Sequence, residues 1–144
     1  RGEVVCLDAD GMANGNDGPF LDEARYSAPA GKAQVPPAAN DADILWRYDM
    51  IAALNVRQHD AAHCSLLLHG RFLYANTSNG VDDTHRHIAS PDAPCLIVID
   101  KETGRLVARD DERIGPDIFH CTWSSPALIT VNGRTLIPRA RRGL

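Results

Sequence analysis

The sequence predicts an all-β fold built from antiparallel four-stranded units. Three observations indicate it: short apolar stretches of strand length, tight turns between them, and recurrence of the same strand-and-turn pattern along the chain. The predicted strands are residues 4–7, 65–68, 72–76, 96–100, 105–109 and 127–131. Helical periodicity is weak throughout, and only residues 50–56 are expected to form one or two helical turns.

The predicted turns contain residues suited to their geometry. Asn132-Gly133 predicts a two-residue hairpin, because both central residues of a type I′ turn need positive φ. His69-Gly70 occupies the matching place in the preceding predicted hairpin. In the longer loop after residue 99, Asp100 is expected to bond the turn amides and Gly104 to adopt the left-handed conformation. The chain therefore alternates strand, tight turn, strand and longer loop.

Internal repetition is the observation that decides the architecture. Three pairs of segments match: 63–65 with 120–122 at an offset of 57, 5–8 with 97–100 at 92, and 45–49 with 107–111 at 62. The offsets agree when the first copy carries an insertion of 30 residues and a connection that is 5 residues longer. One repeated four-stranded unit then explains all three matches.

Successive antiparallel four-stranded units are typical of the blades of a β-propeller. We therefore expect a propeller fragment with one complete blade between two half blades. The predicted divisions are 1–49, the second half of a blade with an inserted loop at 11–43; 50–111, a connection and the complete blade; 112–137, the first half of the next blade; and 138–144, an atypical tail. The remaining blades of a parent chain are then expected partners.

The residues around these turns follow a recognisable order. An aspartate precedes a Thr-Gly turn, a tryptophan lies on an outer strand, and Ser-Ser-Pro leads into the next inner strand. The residues in these positions are Asp8, Trp46, Asp100, Thr103, Gly104, Trp123, Ser124 and Pro126. In this order the chain resembles the pyrroloquinoline-quinone (PQQ)-like repeats. The resemblance implies a periplasmic or secreted location and tryptophans packed between blades, although Ala108 stands where a second outer-strand tryptophan is expected.

The resemblance implies two alternative functions. The first is a non-catalytic propeller used for binding or assembly, similar to the periplasmic scaffold that helps insert outer-membrane proteins. The alternative is part of a quinoprotein, a PQQ-dependent alcohol or sugar dehydrogenase, with PQQ and calcium held in the full-length parent. The sequence favours the non-enzyme, because the repeat residues match while the adjacent cysteines typical of such enzymes have no counterpart here. No catalytic residue is assigned.

Composition excludes two classes of partner. The net charge of −4 and the isoelectric point near 5.8 argue against nucleic-acid binding, which usually needs a concentrated basic face. The basic cluster Arg139, Arg141 and Arg142 lies in the tail and is interpreted as solvated. No apolar run approaches the roughly 20 residues of a membrane span.

Histidines and cysteines supply the first candidate metal site. His63-Cys64 and His120-Cys121 recur at the starts of predicted inner strands, where neighbouring blades bring equivalent positions together. His59 lies four residues before His63 and is a candidate fifth ligand. The alternative is structural: repeated units repeat their residues, and cysteine packs as a small apolar side chain.

Other polar clusters remain open to two interpretations. His85-Arg86-His87 follows Asp82-Asp83 and suggests a metal or anion site, or a solvated loop. Residues 8–18 contain oxygen ligands and glycines that suit calcium, but without EF-hand spacing, and the same residues also form turns. The insertion 11–43 is predicted to cap a face or contact a protein partner, or to be a tolerated surface excursion.

Overall fold

The computed structural model describes residues 2–59 and 64–138, and it confirms the all-β prediction. The strands in this part of the chain are β1 (Glu3–Leu7), β2 (Ile44–Asp49), β3 (Leu67–His69), β4 (Phe72–Asn76), β5 (Leu96–Asp100), β6 (Leu106–Arg109), β7 (Ile129–Val131) and β8 (Arg134–Leu136). One short helix, α1 (Met50–Leu54), lies where one or two helical turns were expected, and the 3-10 helices are Gly11–Asn14, Glu23–Tyr26 and Gly115–Asp117.

The strands form three sheets in the described residues. A four-stranded sheet has the order β3-β4-β5-β6, and two-stranded sheets pair β1 with β2 and β7 with β8. All strand pairs in the four-stranded sheet are antiparallel, as is the β7–β8 pair. Because neighbours in the sheet are neighbours in sequence, each connection joins adjacent strands.

The core of the four-stranded sheet follows the two-residue period of its central strands. Leu73 of β4 lies opposite Ile99 of β5, and Ala75 lies opposite Ile97. All four side chains are buried, and Ile97 and Ile99 are fully enclosed. Alternate residues of a strand point to the same face, so the run Leu96–Asp100 presents one apolar face to the core.

The two tight hairpins differ in turn type. Asn132 and Gly133 connect β7 to β8 with φ of 51° and 73°, which confirms the predicted type I′ geometry. In the β3–β4 hairpin, His69 pairs with Phe72, so the turn residues are Gly70-Arg71. The predicted turn at His69-Gly70 was therefore one residue too early. Gly70 alone takes positive φ, at 57°, as the first position of a type II′ turn requires.

Strand positions also correct the repeat at the histidine–cysteine pairs. Cys64 lies three residues before β3 begins, whereas Cys121 lies eight residues before β7 begins, so the two cysteines are not equivalent in the hairpins. The offset of 57 between them is therefore not the repeat of the strands. β2 and β6, β3 and β7, and β4 and β8 all begin 62 residues apart.

The loop between β5 and β6 has the predicted geometry. Asp100 accepts hydrogen bonds from the amides of Glu102 and Thr103 at 3.0 and 3.1 Å, and Gly104 has φ of 69°. Its other carboxylate oxygen accepts from the guanidinium of Arg71. Partial burial opposes ionisation of Asp100, but these hydrogen bonds outweigh it and hold the pKa of the carboxyl below its usual range.

This lowered pKa makes part of the stability depend on pH. A carboxyl whose pKa falls on folding stabilises the native state above its unfolded pKa of about 3.9, and that contribution is lost as pH falls through the folded pKa. We expect Asp100→Asn to lower the urea midpoint of unfolding at pH 7, with a smaller difference at pH 3. The exposed Glu102→Gln is the control, and an Asp100→Asn effect that is equal at both pH values would contradict the assignment.

The chain divides into two compact units. One contains residues 1–3 and 49–144, with the four-stranded sheet, and the other contains residues 4–48. In the smaller unit, Trp46 and Val4 are buried, so Trp46 is a packing residue there. The insertion 11–43 lies in this unit and contains two of the 3-10 helices, although it was expected to lack secondary structure of its own.

Candidate functional site

A buried polar loop, residues 77–80, organises the candidate site. Thr77, Ser78 and Asn79 are fully enclosed directly after β4. Asn79 donates from its amide nitrogen to the Ser90 carbonyl at 2.9 Å and accepts from the Arg57 amide at 3.0 Å. Because buried polar groups must find partners, these bonds fix two further segments against the loop.

Gly80 then allows a close approach between chain segments. Its amide donates to the Arg57 carbonyl at 2.9 Å, and its backbone forms a bridge with Cys121. A Cβ atom at this position would lie 2.3 Å from the His120 carbonyl oxygen and 2.5 Å from the Cys121 Cβ. Only glycine fits between these backbones, so this residue determines how near His120 comes to the loop.

Val81 links two of the histidine-bearing segments through its backbone. Its amide donates to the His120 carbonyl at 2.8 Å. Its carbonyl lies 3.0 Å from Nδ1 of His59, so the ring donates its Nδ1 proton there. The same residue is buried in the core of this unit. Val81 therefore holds His59 and His120 on the same side of the loop.

A turn centred on Asp82 positions the third histidine. The Asp82 carboxylate accepts from the Thr84 hydroxyl at 2.7 Å and the Thr84 amide at 3.0 Å, and the hydroxyl bond is the main reason that its pKa lies below the usual range. The His85 amide donates to the Asp82 carbonyl at 3.0 Å, and His85 has φ of 59°. Its side chain is exposed.

His59, His85 and His120 meet at this point and are called the histidine cluster below. One ring nitrogen of each lies within 4.8 Å of the others. The ring centroids are 4.3 Å apart for His59 and His120, 4.4 Å for His59 and His85, and 5.0 Å for His85 and His120. Trp123, whose side chain is half exposed, packs edge-on against His120 with centroids 4.9 Å apart.

The cluster offers nitrogen donors on a partly open surface. Three neutral imidazoles suit zinc, copper, nickel or cobalt, whereas calcium and magnesium prefer oxygen ligands. His59 and His120 are half buried and His85 is exposed, so a bound ion would keep access to solvent. Chemically, the arrangement can hold a divalent transition ion with a coordination position left over.

The predicted metal ligands are only partly brought together. His120 joins the cluster with His59, and His63 lies outside the described residues. Cys64 and Cys121 belong to no three-residue ligand group in the described chain. The Cys64 thiol lies 3.8 Å from the Thr122 carbonyl, and burial raises its pKa while a hydrogen bond with Ser78 opposes the rise. A raised pKa disfavours the thiolate form that binds metals.

The second polar loop contributes one of its two histidines. His85 reaches the cluster, while His87 is exposed and its carbonyl accepts from the Asp82 amide at 2.8 Å. Asp83 pairs with Arg57 at 2.6 Å on the surface. This sequence segment was therefore a sound candidate, but its acidic residues shape and flank the turn and do not join the ligand group.

A separate acidic group lies in the unit of residues 4–48. Carboxylate oxygens of Asp8, Asp17 and Asp43 lie within 4.8 Å of one another. Asp43 is completely buried; it accepts from the Asp17 amide at 2.9 Å, and its Oδ1 has no hydrogen-bond partner. Asp8 and Asp17 are within the stretch predicted to suit calcium, and Asp43 was missed because it lies 26 residues further along the chain.

The calcium hypothesis for this group has a direct test. Three carboxylates at this spacing repel one another, and an ion with oxygen ligands would remove that repulsion. We expect millimolar calcium to raise the unfolding midpoint of the chain but not that of Asp43→Asn, measured by circular dichroism. Asp22→Asn, an exposed change in the same unit, is the control. Equal responses of all three proteins would contradict the hypothesis.

The insertion also borders a groove of about 450 Å³. Its apolar lining includes Leu7, Tyr26, Val35, Pro36 and Pro37. Leu7, Tyr26 and Val35 are more than half exposed, so the groove is open to solvent. The structure thus gives the insertion a defined concave surface, and a role in contacting a protein partner stays a prediction.

Sequence reasoning missed the residues that assemble the histidine cluster. Asn79-Gly80 is a strong turn signal, yet its importance comes from burial and from contacts with residues more than 20 positions away. The histidines themselves were visible as candidates, but their grouping required the loop that brings positions 59, 85 and 120 together.

No family model, curated protein or solved structure matches the chain. Among the described residues, no helix has the length and apolar character needed to cross a membrane. Function is therefore argued from the contacts of the chain's own residues.

Proposed function

We propose that this chain forms part of a PQQ-like β-propeller that acts as a non-catalytic binding or assembly scaffold outside the cytoplasm. The observation that carries the proposal is the common spacing of 62 residues between strands. β2, β3 and β4 are each followed after this interval by β6, β7 and β8. A regular repeat of antiparallel strands supports blades stacked around a common axis.

The four-stranded sheet supplies a unit of the right form. Its strands occur in spatial order β3-β4-β5-β6 with hairpin connections, as in one propeller blade. The β1–β2 and β7–β8 pairs would then be the second and first halves of the blades on either side. In this arrangement β3 would be an inner strand and β6 an outer strand.

Exposed apolar residues on the two-stranded sheets also support further blades. Val5 and Leu7 of β1 are 41% and 53% exposed, and Ile129, Val131 and Leu136 of the β7–β8 hairpin are 40–45% exposed. Ile129 lies directly opposite Leu136, so they form an apolar pair on one face. Burying such faces is what adjacent sheets of a propeller would do, since scattered exposure of this kind is otherwise unfavourable.

A scaffold role is favoured because residues that carry the family resemblance have structural contacts. Asp100 caps the β5–β6 turn, Trp46 is buried, and the Ser124 carbonyl accepts from the Asn76 side chain at 3.0 Å. Trp123 contacts His120 and is half exposed, so it is the family-like residue with the most accessible aromatic surface. These contacts explain the residues without a catalytic step.

The activity test uses the full-length polypeptide that contains this chain, supplied with PQQ and calcium. A scaffold predicts no quinone absorbance change and no dye-linked oxidation of alcohols or sugars. Saturable quinone binding with substrate turnover would overturn the non-catalytic proposal and favour the dehydrogenase. Binding of the quinone to heat-denatured protein is the control for non-specific absorption.

A further inference from the structure

The histidine cluster combines three imidazoles from segments far apart in the chain. His59 follows the bridge residue Gln58, His85 lies in the Asp82 turn, and His120 immediately precedes the bridge residue Cys121. Their ring nitrogens converge within 4.8 Å. In a tetrahedral zinc site with Zn–N bonds of about 2.0–2.1 Å, ligand nitrogens lie about 3.3 Å apart. Small side-chain rotations are therefore sufficient to close the cluster on an ion.

We propose that His59, His85 and His120 form a three-histidine site for one divalent transition ion, with Zn²⁺ as the expected ligand. The donor set is entirely nitrogen among the residues that the structure describes, which distinguishes it from an oxygen-lined calcium site. Three protein ligands leave the fourth tetrahedral position for water or a donor from a partner. This inference is independent of the propeller proposal.

His59 has the outer hydrogen bond that zinc-binding histidines commonly make. Its Nδ1 donates to the Val81 carbonyl at 3.0 Å, which leaves the Nε2 lone pair for the ion. A backbone acceptor holds the imidazole plane and selects this tautomer before the ion arrives. The ring orientation is therefore set by the fold and does not depend on contacts to the other histidines.

The segments that carry the histidines are also tied together by backbone bonds. Gly80 joins the Arg57 carbonyl at 2.9 Å, Val81 joins the His120 carbonyl at 2.8 Å, and the Thr122 amide joins the Asn79 carbonyl at 3.3 Å. These bonds bring the ligand-bearing segments into place without metal. Preorganisation of this kind lowers the entropy lost on binding.

His85 occupies a backbone conformation that favours other residues. At φ of 59°, glycine or asparagine would be at least as well accommodated as histidine. The Asp82 turn nevertheless places an imidazole there, exposed and beside two others. Unfavourable conformations of this kind are often found at functional sites, and ligation gives this one a chemical purpose.

The first experiment measures Zn²⁺ binding to the full chain after metal is removed with a chelator. Calorimetry and elemental analysis are expected to give one Zn²⁺ per chain, with Mg²⁺ giving no binding. His85→Asn is the key variant, because asparagine tolerates positive φ and keeps the turn while removing the imidazole. We expect it, and His120→Gln, to weaken Zn²⁺ binding at least 10-fold, a loss typical of removing a metal ligand's contribution.

His69→Asn is the matched control, because His69 is an exposed histidine on the β3–β4 hairpin and outside the cluster. It should bind Zn²⁺ as the unaltered chain does. The proposal is overturned if less than half an equivalent of Zn²⁺ binds, or if His85→Asn binds as tightly as His69→Asn. Circular dichroism of each variant separates loss of the site from loss of folding.

Cobalt substitution tests the identity of the donors. Co²⁺ in the site is expected to show visible bands of a four-coordinate nitrogen and water environment, without thiolate-to-cobalt charge transfer. Both bands and binding should be lost in His85→Asn. A strong thiolate band would contradict the all-histidine set and would place Cys64 or Cys121 among the ligands.

Discussion

Gly80→Ala is expected to destabilise the larger unit by about 3 kcal/mol, the upper part of the usual range for overpacking. The added Cβ would lie 2.3 Å from the His120 carbonyl oxygen and 2.5 Å from the Cys121 Cβ, and both are held by the bridge to Gly80. Neither contact is the flexible end of a side chain, so the backbones must separate. Chemical denaturation followed by tryptophan fluorescence measures the loss.

The same change should also weaken Zn²⁺ binding, because it moves His120 away from His59 and His85. Gly70→Ala is the control: Gly70 has positive φ but open space around it, so its cost is limited to about 1–2 kcal/mol of backbone strain. If Gly80→Ala is as stable as the unaltered chain and binds Zn²⁺ normally, the close approach of residues 80 and 120–121 does not hold.

Ile97→Ala is expected to cost about 2–5 kcal/mol, the range for large-to-small changes in a packed core. Ile97 has no exposed surface, lies opposite Ala75 on β4, and is on the same face as Ile99. Removing its side chain leaves a cavity in the middle of the four-stranded sheet. Urea unfolding followed by circular dichroism gives the free energy of unfolding directly.

Leu68→Ala provides the comparison for this core change. Leu68 lies on β3 and is 62% exposed, so truncation is expected to change the stability of the chain by less than about 0.5 kcal/mol. Similar losses in Leu68→Ala and Ile97→Ala would contradict the assignment of the core to the β4–β5 face. In a full-length propeller the Leu68 effect should increase, because β3 would then have neighbours.

Local sequence signals were sufficient for most strands and turns. Asn132-Gly133 specified a type I′ hairpin because few other residues accept two positive φ values in succession. Asp100 and Gly104 specified the β5–β6 loop for similar reasons. The alternation of apolar residues in β4 and β5 gave the core pairs, since the period of a strand is set by its geometry.

The histidine cluster was harder to predict because its assembly is not local. The match between His63-Cys64 and His120-Cys121 suggested equivalent positions, yet the strands show that these segments lie at different distances from their hairpins. What groups His120 with His59 and His85 is a buried loop containing Asn79 and Gly80. Two adjacent polar residues carry no sequence signal of which distant backbone they will contact.

The histidine cluster and the proposed scaffold are consistent with each other. His120 and Trp123 lie in the segment that leads into β7, and His59 and His85 flank the four-stranded sheet in sequence. Bound Zn²⁺ would therefore connect the segment before β7 to the loops around β3 and β4. We expect this connection to stabilise the join between successive sheets, in addition to the backbone bonds of Gly80 and Val81.

The most direct test of the proposed architecture is a crystal or cryo-electron microscopy structure of the full-length polypeptide containing this chain. The proposal predicts sheets arranged around a central axis, with β3 innermost and β6 outermost, and with Ile129, Val131 and Leu136 covered by neighbouring strands. A structure in which β3–β6 packs face to face in a two-layer sandwich, or in which those three side chains remain exposed, would contradict it.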